Sequence, residues 1–128
     1  LPNATLTINQ TNFTENYQML RFHMVNVAFF TIDGSYTTKK VLIKNTKQTQ
    51  VTYDASPGIV AILVNEGHQD FMKYRFDAVS EAYFIKNINL ITDPLARMLI
   101  YAYMNEEVRD GLKKVIDYKD QILSVISN

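Results

Sequence analysis

The chain has 128 residues and a mass of 14.8 kDa, which is the size of one domain or of a small domain with part of another. Hydrophobic residues make up 47% of the chain and charged residues 20%, which excludes a disordered tail and a collagen-like repeat. Basic and acidic residues number 13 each, so the net charge is zero and no global field attracts nucleic acid or an anionic membrane.

The first 76 residues carry the short β-branched and aromatic runs that are typical of strands. They predict strands over 5–9, 18–32, 36–44, 48–53, 59–64 and 71–76. In the second strand, Leu20, Phe22 and Met24 alternate with polar residues, so we expect this half-buried strand to point His23 away from its apolar neighbours. From Val25 onward both parities are apolar, which predicts a bulge or burial on both faces.

Turn residues separate these strands at regular intervals. Asp33-Gly34 predicts a two-residue hairpin turn, and residues 56–58 predict another turn before the central strand 59–64. A polar loop, 65–70, leads to the last strand. Several short strands with turns every 8–12 residues predict a β-sandwich.

After Asp77 the apolar residues recur with a helical period. Asp77 is a predicted N-cap, and Asp93 with Pro94 predicts the start of a second helix, which ends at Asp110-Gly111. A third helix then runs to the last residues, and we expect the helical region to continue beyond residue 128. Its apolar stripe is larger than one neighbouring helix needs, so we predict interdomain contacts through Leu112, Val115, Ile116, Ile122, Leu123 and Ile126.

The sequence holds no recognisable motif for catalysis or metal binding. Cysteine is absent, the two histidines do not form a His-Glu-x-x-His pattern, and the glycines are scattered among turns. Glu66, His68 and Asp70 occupy alternate loop positions, which leaves a metal cluster as a minor alternative to a solvated loop. No apolar run reaches the 18 or more residues of a membrane span.

Two charged clusters have simple structural explanations. The run Lys39, Lys40, Lys44 and Lys47 is typical of an edge strand protected by lysine, with contact to an acidic partner as the alternative. Residues 106–110 hold three carboxylates and an arginine, which we interpret as a solvated helix end, with contact to a neighbouring domain as the alternative.

The compartment is left open. The absence of cysteine does not fix it, and we slightly favour the cytoplasm. Three glycosylation sequons, which begin at Asn3, Asn9 and Asn12, leave a secreted or cell-surface location as the alternative.

Three segments, residues 20–34, 62–77 and 93–111, carry patterns that occur together in one enzyme family. In the second, ILVNEGHQDFMKYRFD, a buried strand ends in Asn, an acidic loop follows, and an aromatic and basic strand ends in Asp. In this order, the three resemble the β-domain strands and the early C-terminal helices of zinc aminopeptidases of the aminopeptidase N type. The resemblance covers nearly the whole chain. It departs at residues 68–69, where acidic residues are usual, and at Tyr101, where Trp is common.

The resemblance implies an α+β chain from the region just after the catalytic domain. Residues 1–76 would form an immunoglobulin-like β-sandwich, and 77–128 would form the first α-helices of a superhelical C-terminal domain. Family members remove the N-terminal residue of peptides with one zinc ion, held by His-Glu-x-x-His and a downstream Glu. A Gly-x-Met-Glu-Asn segment holds the substrate amino group. Neither motif occurs here, so no catalytic, metal or cofactor residue is carried over, and zinc belongs to the parent protein.

The resemblance also implies a role and partners. The chain would be a strut between the catalytic domain and the remaining helical domain of the same parent, meeting peptides only through that parent, with no nucleic acid and no membrane span. One alternative is an independent immunoglobulin-like binding module, acting through a sandwich face or the lysine edge. Such a module should bury Leu112, Val115, Ile116 and Ile122 internally. Another is an inactive relative that has become a subunit of a larger assembly.

Overall fold

The computed structural model describes residues 3–11 and 19–126. Within these ranges the chain is α+β, with five strands followed by three α-helices, and a single turn of 3-10 helix, Ile88–Leu90, between the first two helices. The elements are β1 (Asn3–Asn9), β2 (His23–Phe30), β3 (Tyr36–Ile43), β4 (Gln48–Asp54), β5 (Ala61–Glu66), α1 (Ala78–Asn87), α2 (Pro94–Arg109) and α3 (Val115–Ile126).

Some predictions fall outside the described ranges. The predicted start of the second strand at Gln18 lies outside them, as does the sequon at Asn12. The other two sequon asparagines, Asn3 and Asn9, begin and end β1 and are exposed.

The strands form two antiparallel sheets. One pairs β1 with β4, and the other has the order β3-β2-β5. In the three-stranded sheet, Phe30 pairs with Tyr36 on one side and with Ala61 on the other. The β2–β5 register shifts between Asn26 and Val27, which confirms the irregularity predicted for the second strand.

The three-stranded sheet is packed on both faces, although its helix-facing side is exposed near the β3 edge. Its odd-numbered β2 residues face β1 and β4 and share a core with them; that cluster includes Val25, Val27, Phe29, Val41, Ile43, Val51 and Val64. On the opposite face, Ala28 and Phe30 pack against α1, the 3-10 turn and α2, including Phe84, Ile88 and Ile100. The sheet is therefore the middle of three layers, and residues on both sides of position 76 contribute to one core.

The predicted phase of the second strand is wrong. Phe22 and Met24 are 60% and 48% exposed, whereas Val25 and Val27 are fully buried. His23 is partly buried, and its Nδ1 lies 2.7 Å from Asp70 Oδ2. The phase depends on the second sheet, which covers the odd-numbered face along the whole strand, and local alternation does not reveal this.

The predicted strand over 71–76 is also wrong. This segment has no strand structure, although its burial alternates as expected, with Met72, Tyr74 and Phe76 partly buried. The Tyr74 and Phe76 rings meet edge to face with centroids 5.0 Å apart, and both rings pack against Tyr103 of α2. Aromatic packing on a helix, rather than a hydrogen-bonded ladder, therefore orders the segment.

The β2–β3 hairpin is confirmed, but its turn is longer than two residues. Gly34 N donates to Thr31 O at 3.1 Å, and Thr31 N donates to Ser35 O at 2.9 Å. The Asp33 carboxylate accepts hydrogen bonds from Thr31 Oγ1 (2.6 Å) and from Ser35 Oγ and N (2.7 and 3.1 Å). These bonds lower the pKa of Asp33 from 3.8 to about 2.

This turn carries a pH prediction. Because the pKa of Asp33 is lower in the folded than in the unfolded chain, its hydrogen bonds stabilise the fold above about pH 4, and that stabilisation is lost as the pH falls through about 2. In urea unfolding between pH 6 and pH 2, the free energy of unfolding should therefore fall more steeply with decreasing pH in the wild type than in Asp33→Asn. Parallel curves for the two proteins would contradict this role.

Local signals set the helix ends. Asp77 accepts a hydrogen bond from Ser80 N at 2.9 Å, and Asp93 accepts one from Leu95 N at 3.0 Å, which confirms both predicted caps. At the end of α2, Gly111 N donates to Val108 O and Leu112 N donates to Glu107 O, the bonding pattern of a Schellman motif. The third helix therefore begins at Val115 and not at Leu112.

Candidate functional site

The apolar stripe predicted on the third helix lies mostly outside the core of the chain. Leu112, Val115, Ile116 and Leu123 are 63%, 69%, 52% and 52% exposed. Ile122 is partly buried, and Ile126 is the last residue of α3. Large side chains of this kind are usually buried, and covering one fully contributes about 1.5–3 kcal/mol. The exposed residues therefore form a candidate contact surface, which we call the α3 face.

Contacts along the other side of α3 hold it to the body of the chain. Ile122 and Tyr118 line a narrow apolar gap shared with Phe84 and Ile88. The Tyr118 hydroxyl donates to Tyr101 O at 3.4 Å. The position of the α3 face is thus fixed by packing against α1 and α2, while the face itself points outward.

A buried carboxylate lies beside the start of this helix. Glu107 is 8% exposed, so the interpretation of residues 106–110 as a solvated helix end is wrong for this residue. Burial raises the pKa of Glu107, and nearby Glu81 raises it further, against the opposing effect of Lys113 and Arg75. Lys113 forms an ion pair with Glu81 at the same place. This cluster joins α1, the end of α2 and the turn before α3.

The end of α2 is also tied to the segment 71–76. Asp110 accepts hydrogen bonds from Lys73 Nζ at 3.1 Å and from Arg75 Nη2 at 2.8 Å, and these bonds lower the pKa of Asp110. Lysine and arginine at alternate positions thus share one helix-end carboxylate. The arrangement joins the 71–76 segment to the end of α2.

The polar loop after β5 does not gather a metal site. Glu66 Oε1 accepts from the Tyr36 hydroxyl at 3.3 Å, and Asp70 pairs with His23. His68 is exposed and has a positive φ of 52°. Across residues 3–11 and 19–126, no three His, Asp or Glu side chains lie close enough together to hold a metal ion.

The residue that organises this loop was not singled out from the sequence. Asn65 is fully buried with φ of 65°, and its Oδ1 accepts hydrogen bonds from Gln69 N and Asp70 N at 3.0 and 3.1 Å. Its Nδ2 donates to Asp70 O at 2.7 Å and to the Tyr103 hydroxyl at 3.2 Å. An Asn directly after a buried strand and two residues before Gly67 is the available signal, because Asn tolerates the left-handed conformation.

The lysine run lies on an edge strand, as predicted. β3 is the outer strand of the three-stranded sheet, and its two lysines are exposed, as are the two in the following turn. Lys39 Nζ donates to Thr52 O of β4 at 2.6 Å. The lysines therefore flank the edge where the two sheets approach each other.

Among the described residues, no helix combines the length and apolar character needed to cross a membrane. Comparison of the chain with protein-family models, with curated proteins and with solved structures found no match. A proposal for its function therefore rests on the geometry above and on the resemblance of its three segments.

Proposed function

We propose that this chain is the non-catalytic β-domain, with its adjoining helices, of a zinc aminopeptidase of the aminopeptidase N type. In that parent it would act as a strut between the catalytic domain and the rest of the helical domain. The observation that carries the proposal is the α3 face, because a helix that exposes a run of Leu, Val and Ile is suited to packing against further helices.

The layered arrangement supports the role of a strut. Two sheets enclose one core, and the helices pack on the outer face of the three-stranded sheet. Interiors of this kind are close-packed and resist deformation, so domains attached at β1 and at α3 would be held at a fixed separation. The order of a sandwich followed by helices also fits an immunoglobulin-like β-domain that leads into a helical domain.

The chemistry would belong to the parent protein. There, zinc would polarise the scissile peptide bond and activate water. The present sequence supplies neither the His-Glu-x-x-His pattern nor the amino-group-binding segment, so its contribution would be the placement of the two domains around the peptide.

Two substitutions on α3 separate a domain interface from a self-sufficient module. Ile116→Glu should change the free energy of unfolding by less than about 0.5 kcal/mol, because the side chain is already half exposed. Ile122→Glu, in the gap between the helices, should cost about 2 kcal/mol or more. Urea unfolding followed by circular dichroism measures both. A large loss for Ile116→Glu would favour the independent binding module, which buries this residue.

The native source protein provides the direct test. An antibody raised to this chain should detect a protein several times heavier than 14.8 kDa. That protein, once purified, should release N-terminal residues from peptides and lose the activity when zinc is chelated. A native protein near the mass of this chain, or a heavy protein without peptidase activity, would overturn the proposal.

A further inference from the structure

Charge is unevenly distributed along this neutral chain. Residues 34–53, which include β3, the following turn and most of β4, hold four lysines and no acidic residue. Lysine on an edge strand usually serves to prevent unwanted pairing, and a single one is often enough. A stretch with this excess of positive charge creates a local field that attracts acidic groups. All four lysines are exposed: Lys39, Lys40, Lys44 and Lys47.

The outer edge of β3 presents backbone N–H and C=O groups. In an antiparallel ladder, hydrogen-bonded and non-bonded residue pairs alternate. Thr31 and Ser35 form a hydrogen-bonded pair at the end of the β2–β3 ladder, and this identifies the type of each pair along the two strands. Thr38, Lys40 and Leu42 occupy the non-bonded positions, so their N–H and C=O groups point away from β2. Within the part of the chain that the structure describes, no other strand pairs with this edge.

Side chains on both faces of the edge suit an added strand. Lys40 is exposed on the helix-facing side, next to the half-exposed Leu42 and its cross-strand partner Met24. Lys39 lies on the opposite side, where its ammonium group reaches the backbone of β4. A strand added along β3 would therefore contact a lysine on each face of the sheet. At one end it would contact the apolar side chains of Leu42 and Met24.

We propose that the outer edge of β3 binds an extended acidic peptide segment as a fourth strand of the sheet. Main-chain hydrogen bonds to residues 38–42 would provide affinity, and the lysines would select carboxylates. A second copy of the chain is disfavoured, since it would place lysines against lysines. This inference does not depend on the proposed function.

A nucleic acid is the less suitable partner. Binding of single strands relies on aromatic rings that are open to stacking. On β3 and β4, the Tyr53 ring already stacks on Phe29 with centroids 4.6 Å apart, and the Tyr36 ring packs on Phe30 with centroids 4.7 Å apart. Repeated outward N–H and C=O groups, by contrast, match only another extended backbone.

The probe is a fluorescent eight-residue peptide of valine and threonine with two adjacent glutamates at its centre, titrated with the whole chain. Lys40→Glu should weaken binding about tenfold, while Lys114→Glu, at an exposed lysine before α3, should leave it unchanged within about twofold. Binding should weaken as salt is raised. Thr38→Pro removes one N–H that points away from β2 and leaves the hydrogen bonds to β2 in place. This variant should abolish binding, and circular dichroism checks that it still folds.

Two altered probes complete the test. A peptide methylated on all of its backbone nitrogens keeps its charge but cannot donate main-chain hydrogen bonds from either edge, so it should not bind. A glutamine version should bind more weakly than the glutamate version. Equal binding of the methylated peptide would overturn strand addition, and tighter binding of a single-stranded oligonucleotide would overturn the choice of partner. No binding of the glutamate peptide at low salt would overturn the proposal as a whole.

Discussion

Replacement of Gly34 by alanine is expected to destabilise the chain by about 3–5 kcal/mol. A Cβ at this position would lie 2.5 Å from the carbonyl oxygen of Leu90 and 2.7 Å from its carbonyl carbon, and both are backbone atoms that cannot rotate aside. Gly34 also has a φ of 87°, in the left-handed region. The added methyl would therefore push the hairpin turn away from the 3-10 helix that follows α1. Urea unfolding, followed by circular dichroism, measures the loss.

Gly58→Ala is the matched control. Gly58 has a φ of 77°, but no atom lies within 4 Å of its added Cβ. It should therefore lose only the conformational cost of about 1 kcal/mol. The difference between the two variants isolates the contact with Leu90. Similar losses would mean that the hairpin turn does not press on the 3-10 helix.

Replacement of Asn65 by alanine should cost about 3–4 kcal/mol. The substitution removes the four hydrogen bonds that hold the loop 65–70 to itself and to Tyr103 of α2. It leaves the amides of Gln69 and Asp70 without their acceptor and places a non-glycine, non-asparagine residue at a φ of 65°. Hydrogen exchange should report this directly, because those two amides should lose protection in the variant.

Asn65→Gly separates the two causes. Glycine accepts the left-handed backbone but provides no hydrogen bonds, so it should be more stable than alanine by about 1 kcal/mol and still less stable than the wild type. If both variants kept the protection of the Gln69 and Asp70 amides, the loop would be held by contacts other than the Asn65 side chain.

The start of α1 and both ends of α2 were predictable because their causes are local. A cap such as Asp77 bonds to a backbone amide three residues away, and Pro94 fixes its own φ at the first position of α2. The end of α2 followed from Asp110-Gly111 for the same reason. These signals lie within one turn of the chain and need no knowledge of the rest of the fold.

Strand phase and pairing depend on distant residues. Both parities of β2 are apolar, so the sequence around Met24 and Val25 is compatible with either one facing the second sheet. Only the position of β4, whose Val51 joins that core, decides between them. Residues 71–76 alternate like a strand, yet no strand among the described residues pairs with them. Hydrophobic periodicity indicates which side chains are buried, whereas a hydrogen-bonded ladder also requires a partner strand.

The candidate site was predictable in part. The size of the apolar stripe on the third helix indicated that one neighbour could not cover it, and the high exposure of Val115 and Ile116 agrees with that expectation. The burial of Glu107 was not predictable, because it depends on the turn that brings Lys113 back toward α1. The left-handed conformation of Asn65 had a local signal, but its bond to Tyr103 did not, since that partner lies far along the chain.

The middle position of the three-stranded sheet has a consequence for biosynthesis. The β2–β3 hairpin leaves the ribosome before β5, α1 and α2, which complete and cover its sheet. Until Met104 has emerged, Phe30 and its neighbours lack part of the core that buries them. The hairpin is not stable by itself, so this core can fold only after α2 has been made, and a nascent chain stalled before α2 would be a substrate for chaperones.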